Sequence, residues 1–142
     1  MRLYAGRASR ASGRAPPQIR IFVHFHDPEF TSGVPHSVGL QKGLVGVVHA
    51  YADAGMRGSN NVVIAHEILH TLGASDKYDL ATLAPLFPIG FAEPALEPRF
   101  PQRFAEIMAG RRAVSPDEFE MPDSLAEVLV GEATAREIRW VK

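Results

Sequence analysis

The segment Asn60 to Asp79, NNVVIAHEILHTLGASDKYD, concentrates the chain's chemistry. Within it stand His66-Glu67-x-x-His70, then Gly73, then Asp76. Residues four apart on an α-helix share a face one turn apart, so two imidazoles at 66 and 70 can close on a single metal ion. Glu67 follows the first ligand and points to the side where water on that ion would sit. The apolar positions Val63, Ile64, Ile68, Leu69 and Leu72 repeat with helical period, and Ser59 or Asn60 offers an N-cap. Gly73 predicts the helix end, because glycine takes the left-handed C′ conformation at least cost. The chain then turns back, and Asp76 is the next side chain able to reach the same ion.

Three protein ligands with one open position describe a catalytic zinc site rather than a structural one. Zinc lowers the pKa of its water to about 7, and a carboxylate at Glu67 can take that proton and pass it on. The segment HEILHTLGASD resembles the long zinc-binding motif of the metzincin metallopeptidases, H-E-x-x-H-x-x-G-x-x-H/D. The resemblance is greatest to the branch with Asp as third ligand, such as snapalysin and the immune-inhibitor-A-type peptidases. Asp76-Lys77-Tyr78-Asp79 is similar to the D-x-Y-D that often follows in the latter group. The resemblance implies a methionine in a tight turn under the metal, and Glu106-Ile107-Met108-Ala109-Gly110 supplies it at Met108. It further implies a zinc-dependent peptidase acting on a peptide or protein, with His66, His70 and Asp76 as zinc ligands and Glu67 as general base.

Two other readings stay open. A family of small bacterial endoribonucleases uses a zinc motif of similar spacing, H-G-x-x-H-x-x-G-x-x-H, but with Gly in place of Glu67 and His in place of Asp76. The near-neutral balance, −1 overall, also offers no global basic field to attract nucleic acid. The other reading is a degenerate domain that holds zinc or peptide without turnover.

The elements that must position these residues are few. At 142 residues the chain is one domain with a single core, expected as residues 19–142 behind a flexible basic arm, 1–18. The arm is rich in Arg, Ser, Gly and Ala and lacks acidic residues. Ile19 to His26 alternates like a strand, with Arg20, Phe22, His24 and His26 on one face. His24 and His26 have chelating spacing, yet the helix motif already supplies a full ligand set, so they read as sheet-surface histidines or as residues supporting the ligands from behind. Asp27 to Lys42 is punctuated by glycine and proline and reads as mostly loop with at most a short helix, without the long backing helix of the metzincins. Leu44 to Ala52 is a second strand. The resemblance places it at the sheet edge, where it would hold an extended peptide by main-chain hydrogen bonds, with His49 and Tyr51 sharing one face. Either side chain could touch substrate or simply pack across strands.

Beyond Asp79, prolines spaced among apolar residues predict an ordered loop. Leu83, Leu86, Phe87, Ile89 and Phe91 would wall a pocket or cover the lower core. Asp79 has three readings: support for the site, a calcium ligand, or a loop cap. Tyr78 and Tyr51 are the candidates for stabilising an oxyanion. Ser115-Pro116-Asp117-Glu118 and Ser124-Leu125-Ala126-Glu127 both carry helix-start patterns. From the second, an amphipathic stretch to Trp140 would dock Leu125, Val128, Leu129, Ile138 and Trp140, with Gly131 weakening its middle. The expected fold is therefore α+β: a minimal metzincin-like (zincin) catalytic domain with a small twisted sheet, an active-site helix and a C-terminal helix under a Met-turn.

With no cysteine there are neither disulfides nor thiolate ligands. No apolar run is long enough to span a bilayer or to form a signal-peptide core. The expectation is a monomer without membrane or nucleic-acid partners, cytoplasmic by default unless excised from an exported precursor.

Overall fold

The computed structural model describes residues 18–142; the basic arm lies outside them apart from its last residue. The domain is a small mixed α/β fold. Its sheet has three strands, β1 (Arg20–His26), β2 (Val38–Leu40) and β3 (Val45–Tyr51), in the order β1-β3-β2. β1 pairs parallel to β3, with His24 opposite His49 and His26 opposite Tyr51. β2 pairs antiparallel to β3, with Val38 opposite Val47 and Leu40 opposite Val45.

β3 is thus the central strand, not the edge. The edge on the helix-ligand side is β2, within the segment expected to be mostly loop with at most a short helix. Its three residues are too few for a period to show, and its central Gly39 has no β propensity. The reason for glycine there is contact: a Cβ at position 39 would lie 2.3 Å from the Glu67 carbonyl oxygen and 2.7 Å from the His70 Cβ.

The helix α1 runs from Arg57 to Leu72. It starts a turn earlier than expected, at Met56, without a side-chain cap. Asn60 instead ties the helix to the sheet: its amide donates to the Tyr51 carbonyl (2.9 Å), and its side-chain oxygen accepts from the Tyr51 amide (3.2 Å). Val62 and Leu69 are buried and Leu72 is exposed, so the inward face is rotated slightly from the expected apolar set. Gly46, Val48 and Ala50 are the buried positions of β3, alternating with Val45, Val47, His49 and Tyr51. The predicted end holds. Gly73 has φ 107° and donates to the His70 carbonyl, while Ala74 donates to that of Leu69, closing the two bonds of a Schellman cap.

Below the helix lie short pairings: β4 (Ala105–Glu106) parallel to β7 (Val128–Leu129), and β5 (Arg112–Ala113) antiparallel to β6 (Phe119–Glu120). Leu69, Ala74, Ile107, Met108 and Ile138 form the buried cluster between α1 and the C-terminal segment. Two helix expectations are corrected here. Ser115-Pro116-Asp117-Glu118 forms the turn between β5 and β6, with Val114 and Ser115 donating to the Glu118 carbonyl; Pro at the second turn position suits that equally well. Ser124 opens only one 3-10 turn, Leu125–Glu127, before β7. Gly131 does not sit inside a long helix but caps a short one, α2 (Glu132–Glu137). Ile138 docks as expected and Val128 is half-buried, whereas Leu125, Leu129 and Trp140 are exposed. No helix of the described residues is long and apolar enough to cross a membrane.

Candidate metal centre

Two imidazoles and a carboxylate meet above α1. The Nε2 atoms of His66 and His70 lie 3.0 Å apart, and each lies 3.2 Å from Asp76 Oδ1. The other nitrogen of each ring is already committed: His66 Nδ1 faces the Ile107 carbonyl at 2.9 Å and His70 Nδ1 faces the Ala74 carbonyl at 2.8 Å. A carbonyl can only accept, so it fixes the proton on Nδ1 and leaves the Nε2 lone pair directed at the centre. Asp76 Oδ1 is buried with no hydrogen-bond donor. Three electron-pair donors therefore converge with no proton between them, which is the state a cation would satisfy. A tetrahedral zinc with ligand bonds of about 2.0–2.1 Å has ligand–ligand edges of about 3.3–3.4 Å, so the triangle is nearly the required size. Among the described residues, no fourth His, Cys, Asp or Glu joins the group.

The supports of this triangle come from far along the chain. Ile107 precedes Met108, which is fully buried in the core cluster. The turn containing it is held by Glu106, also fully buried. Glu106 Oε2 accepts the Met108 and Ala109 amides (2.6 and 3.0 Å), and Oε1 accepts the Gly131 amide (3.1 Å) and the Thr134 hydroxyl (2.7 Å). The Met108 carbonyl in turn accepts the Lys77 amide at 2.9 Å. One turn thus orients His66 through Ile107 and fixes the loop carrying Asp76 through Lys77. Nothing local marks Glu106 for this role: two of its donors, Gly131 and Thr134, lie 25 and 28 residues away, and a glutamate beside Ile and Met carries no local signature.

Lys77 is the second residue missed. Its ammonium is buried and donates to the Ser75 carbonyl (2.8 Å), the Ser75 hydroxyl (2.7 Å) and Glu137 Oε2 (2.7 Å). Glu137 also accepts the Ser75 amide and hydroxyl, each at 2.9 Å. The ligand loop is clamped on both sides of Asp76.

Beside the triangle, Glu67 is buried, and its Oε2 has no hydrogen-bond donor. Burial pushes its pKa up and Asp76 adds to the shift, while the two histidines and the Gly39 backbone oppose it. Burial would also raise Asp76, but the two imidazoles facing it, His66 and His70, outweigh burial and hold that carboxyl well below the usual range. Tyr78 shifts upward through burial and then through the negative charges of Asp76 and Glu67.

These groups share a cleft of about 470 Å³. Its rim is Pro35 to Gly39, its floor is His66, Glu67 and His70, and its far wall includes Tyr78, Leu83, Arg111 and Met121. Of the apolar loop residues, Leu83 lines the cleft and Phe91 is buried, while Leu86, Phe87 and Ile89 are exposed. His49 and Tyr51 do not line it: they stand on β3 beside β1, so neither is placed to touch a ligand at the metal triangle. The only other histidine at the cleft, His36, lay in the segment read as loop. Asp79 is the loop cap, its Oδ1 accepting the amides of Ala81 and Thr82 and the Thr82 hydroxyl. Comparison with protein family models, curated proteins and solved structures finds no match.

Proposed function

We propose that this chain is a zinc-dependent peptidase, a minimal metzincin-like catalytic domain. The observation carrying this reading is the convergence of His66, His70 and Asp76 with both Nδ1 protons fixed by carbonyls, beside a buried carboxylate that lacks a donor. Zinc held there would act as a Lewis acid toward a carbonyl and acidify water. Two imidazoles and one carboxylate suit zinc.

The remaining steps belong to side chains. Glu67 takes a proton from the attacking water and returns it to the leaving amine, a task favoured by a carboxyl whose basicity is raised by burial. The Tyr78 hydroxyl, on the wall of the same cleft, donates a hydrogen bond to the developing oxyanion. β2 is the outer strand of the sheet and forms the cleft rim, so its free edge can pair with an extended peptide.

Purified protein should hydrolyse casein, and Glu67→Ala should abolish the hydrolysis while zinc stoichiometry is unchanged. Activity surviving that substitution would remove Glu67 as the base. Cleavage of ribosomal RNA in a parallel assay would favour the endoribonuclease reading, and zinc and peptide binding without hydrolysis by wild type would favour a binding domain.

A further inference from the structure

The chain contains six histidines. Two stand in the triangle and His36 lines the cleft; the other three, His24, His26 and His49, meet on the sheet. Strand alternation puts 24 and 26 on one face of β1, and the parallel register sets His49 directly beside His24. His26 Nε2 lies 2.8 Å from His49 Nδ1. The three ring centroids are 4.4, 5.1 and 5.5 Å apart, and one ligand nitrogen from each lies within 4.8 Å of the others. On β3, His49 alternates with the buried Val48 and Ala50, so the group occupies the face opposite them.

We propose that His24, His26 and His49 form a second metal site, for a first-row transition ion such as Zn2+, Ni2+ or Cu2+, separate from the cleft. The donor set decides the class. Three imidazoles and no carboxylate exclude the oxygen-seeking Ca2+ and Mg2+ and favour ions that accept nitrogen. The pair His26–His49 is already close, and a ring nitrogen of the exposed His24 lies within 4.8 Å of both. Without an ion, one hydrogen bond, between His26 and His49, joins two of the three rings, and protonation of more than one brings like charges together. An ion would cross-link β1 to β3 in a small domain that has no disulfide. It would also stiffen the cleft rim, because the His49 amide donates to the Ser37 hydroxyl at 3.0 Å and Ser37 lines the cleft.

The site is tested independently of peptidase activity by titrating tag-free, chelator-stripped protein with Zn2+ and counting bound equivalents. Wild type should bind two, and His66→Ala/His70→Ala should still bind one. Adding His24→Ala to that variant should weaken the remaining equivalent by more than about 100-fold, since even the loss of an outer partner of a metal ligand costs about 10–100-fold. His24 is exposed, so its replacement leaves packing intact; His26→Gln serves as the second variant, with circular dichroism as the folding check. One equivalent in wild type that vanishes with His66→Ala/His70→Ala overturns the proposal, as does an affinity unchanged by both sheet variants. One equivalent that survives His66→Ala/His70→Ala supports this site and removes the one in the cleft.

Discussion

At the residue scale, the convergence of two imidazoles and a carboxylate rests on local geometry, and that made the candidate centre readable. His66, Glu67, His70 and Asp76 fall within eleven positions, on one helix and the bend after it, so helical geometry and one glycine place them together. The supporting residues were not readable, because their role depends on pairing across the chain. Glu106 is the clearest case. Its two oxygens accept four donors, and Glu106→Gln would turn an amide nitrogen toward donors that need an acceptor. Leaving buried donors unpaired costs about 1–3 kcal/mol, so the urea midpoint should fall by the equivalent of about 2–3 kcal/mol, and zinc affinity should fall with it as Ile107 loosens. Tyr78 separates a chemical role from a structural one. Tyr78→Phe keeps the ring on the cleft wall and removes the hydroxyl; loss of one oxyanion donor lowers kcat by about 100- to 1000-fold. If Tyr78 donates to the oxyanion, steady-state kinetics on a peptide substrate will show that loss in kcat with KM little changed.

At the scale of elements, the long helix and the two seven-residue strands were visible because hydrophobic periodicity survives over such lengths. The strand β2 was not. Glycine and proline in residues 27–42 signal turns, and nothing local reveals that Gly39 lies against the backbone of α1. The same limit misassigned Ser115 to Glu118: a capping pattern and a proline-bearing turn share their residues, and only the pairing of β5 with β6 chooses between them. Close approach makes a strong prediction for β2. Gly39→Ala would drive a methyl group into the Glu67 carbonyl oxygen and the His70 Cβ, neither of which can rotate away. The strand must lift from the helix. Overpacking of this kind costs about 1–3 kcal/mol, and the rim over Glu67 moves with it. Thermal denaturation should register the loss, and peptide hydrolysis should fall more steeply than zinc content, because both imidazoles stay on a helix whose own hydrogen bonds are untouched.

Over the whole molecule, the triangle of His66, His70 and Asp76 is where three distant segments are locked: α1, the turn at Met108, and α2 through Glu137. The last link is ionic, so the lock has a pH dependence with a definite sign. Burial would raise the Glu137 carboxyl, but hydrogen bonds from Lys77 and Ser75 and the Lys77 charge win, and its folded pKa lies below the ordinary value of 4.5. A carboxyl depressed on folding binds protons more readily in the unfolded chain. Its stabilising effect is therefore complete above about pH 4.5 and is lost as pH falls through the folded value. Glu137 is about one-third exposed, with a side-chain exposure of 34%, and solvent screens part of its attraction, whereas Lys77 is almost fully enclosed at 2%. Glu137→Gln leaves the lysine two oxygens of Ser75 but no counter-charge, at a cost of about 1–2 kcal/mol near neutral pH, below the full cost of breaking a buried pair. Urea denaturation of chelator-stripped protein at several pH values should show the variant weaker than wild type at pH 7 and the two curves converging in acid. Curves that stay parallel down to pH 3 would mean that the clamp on Ser75 and Lys77 acts through shape and hydrogen bonding alone, with no contribution from charge.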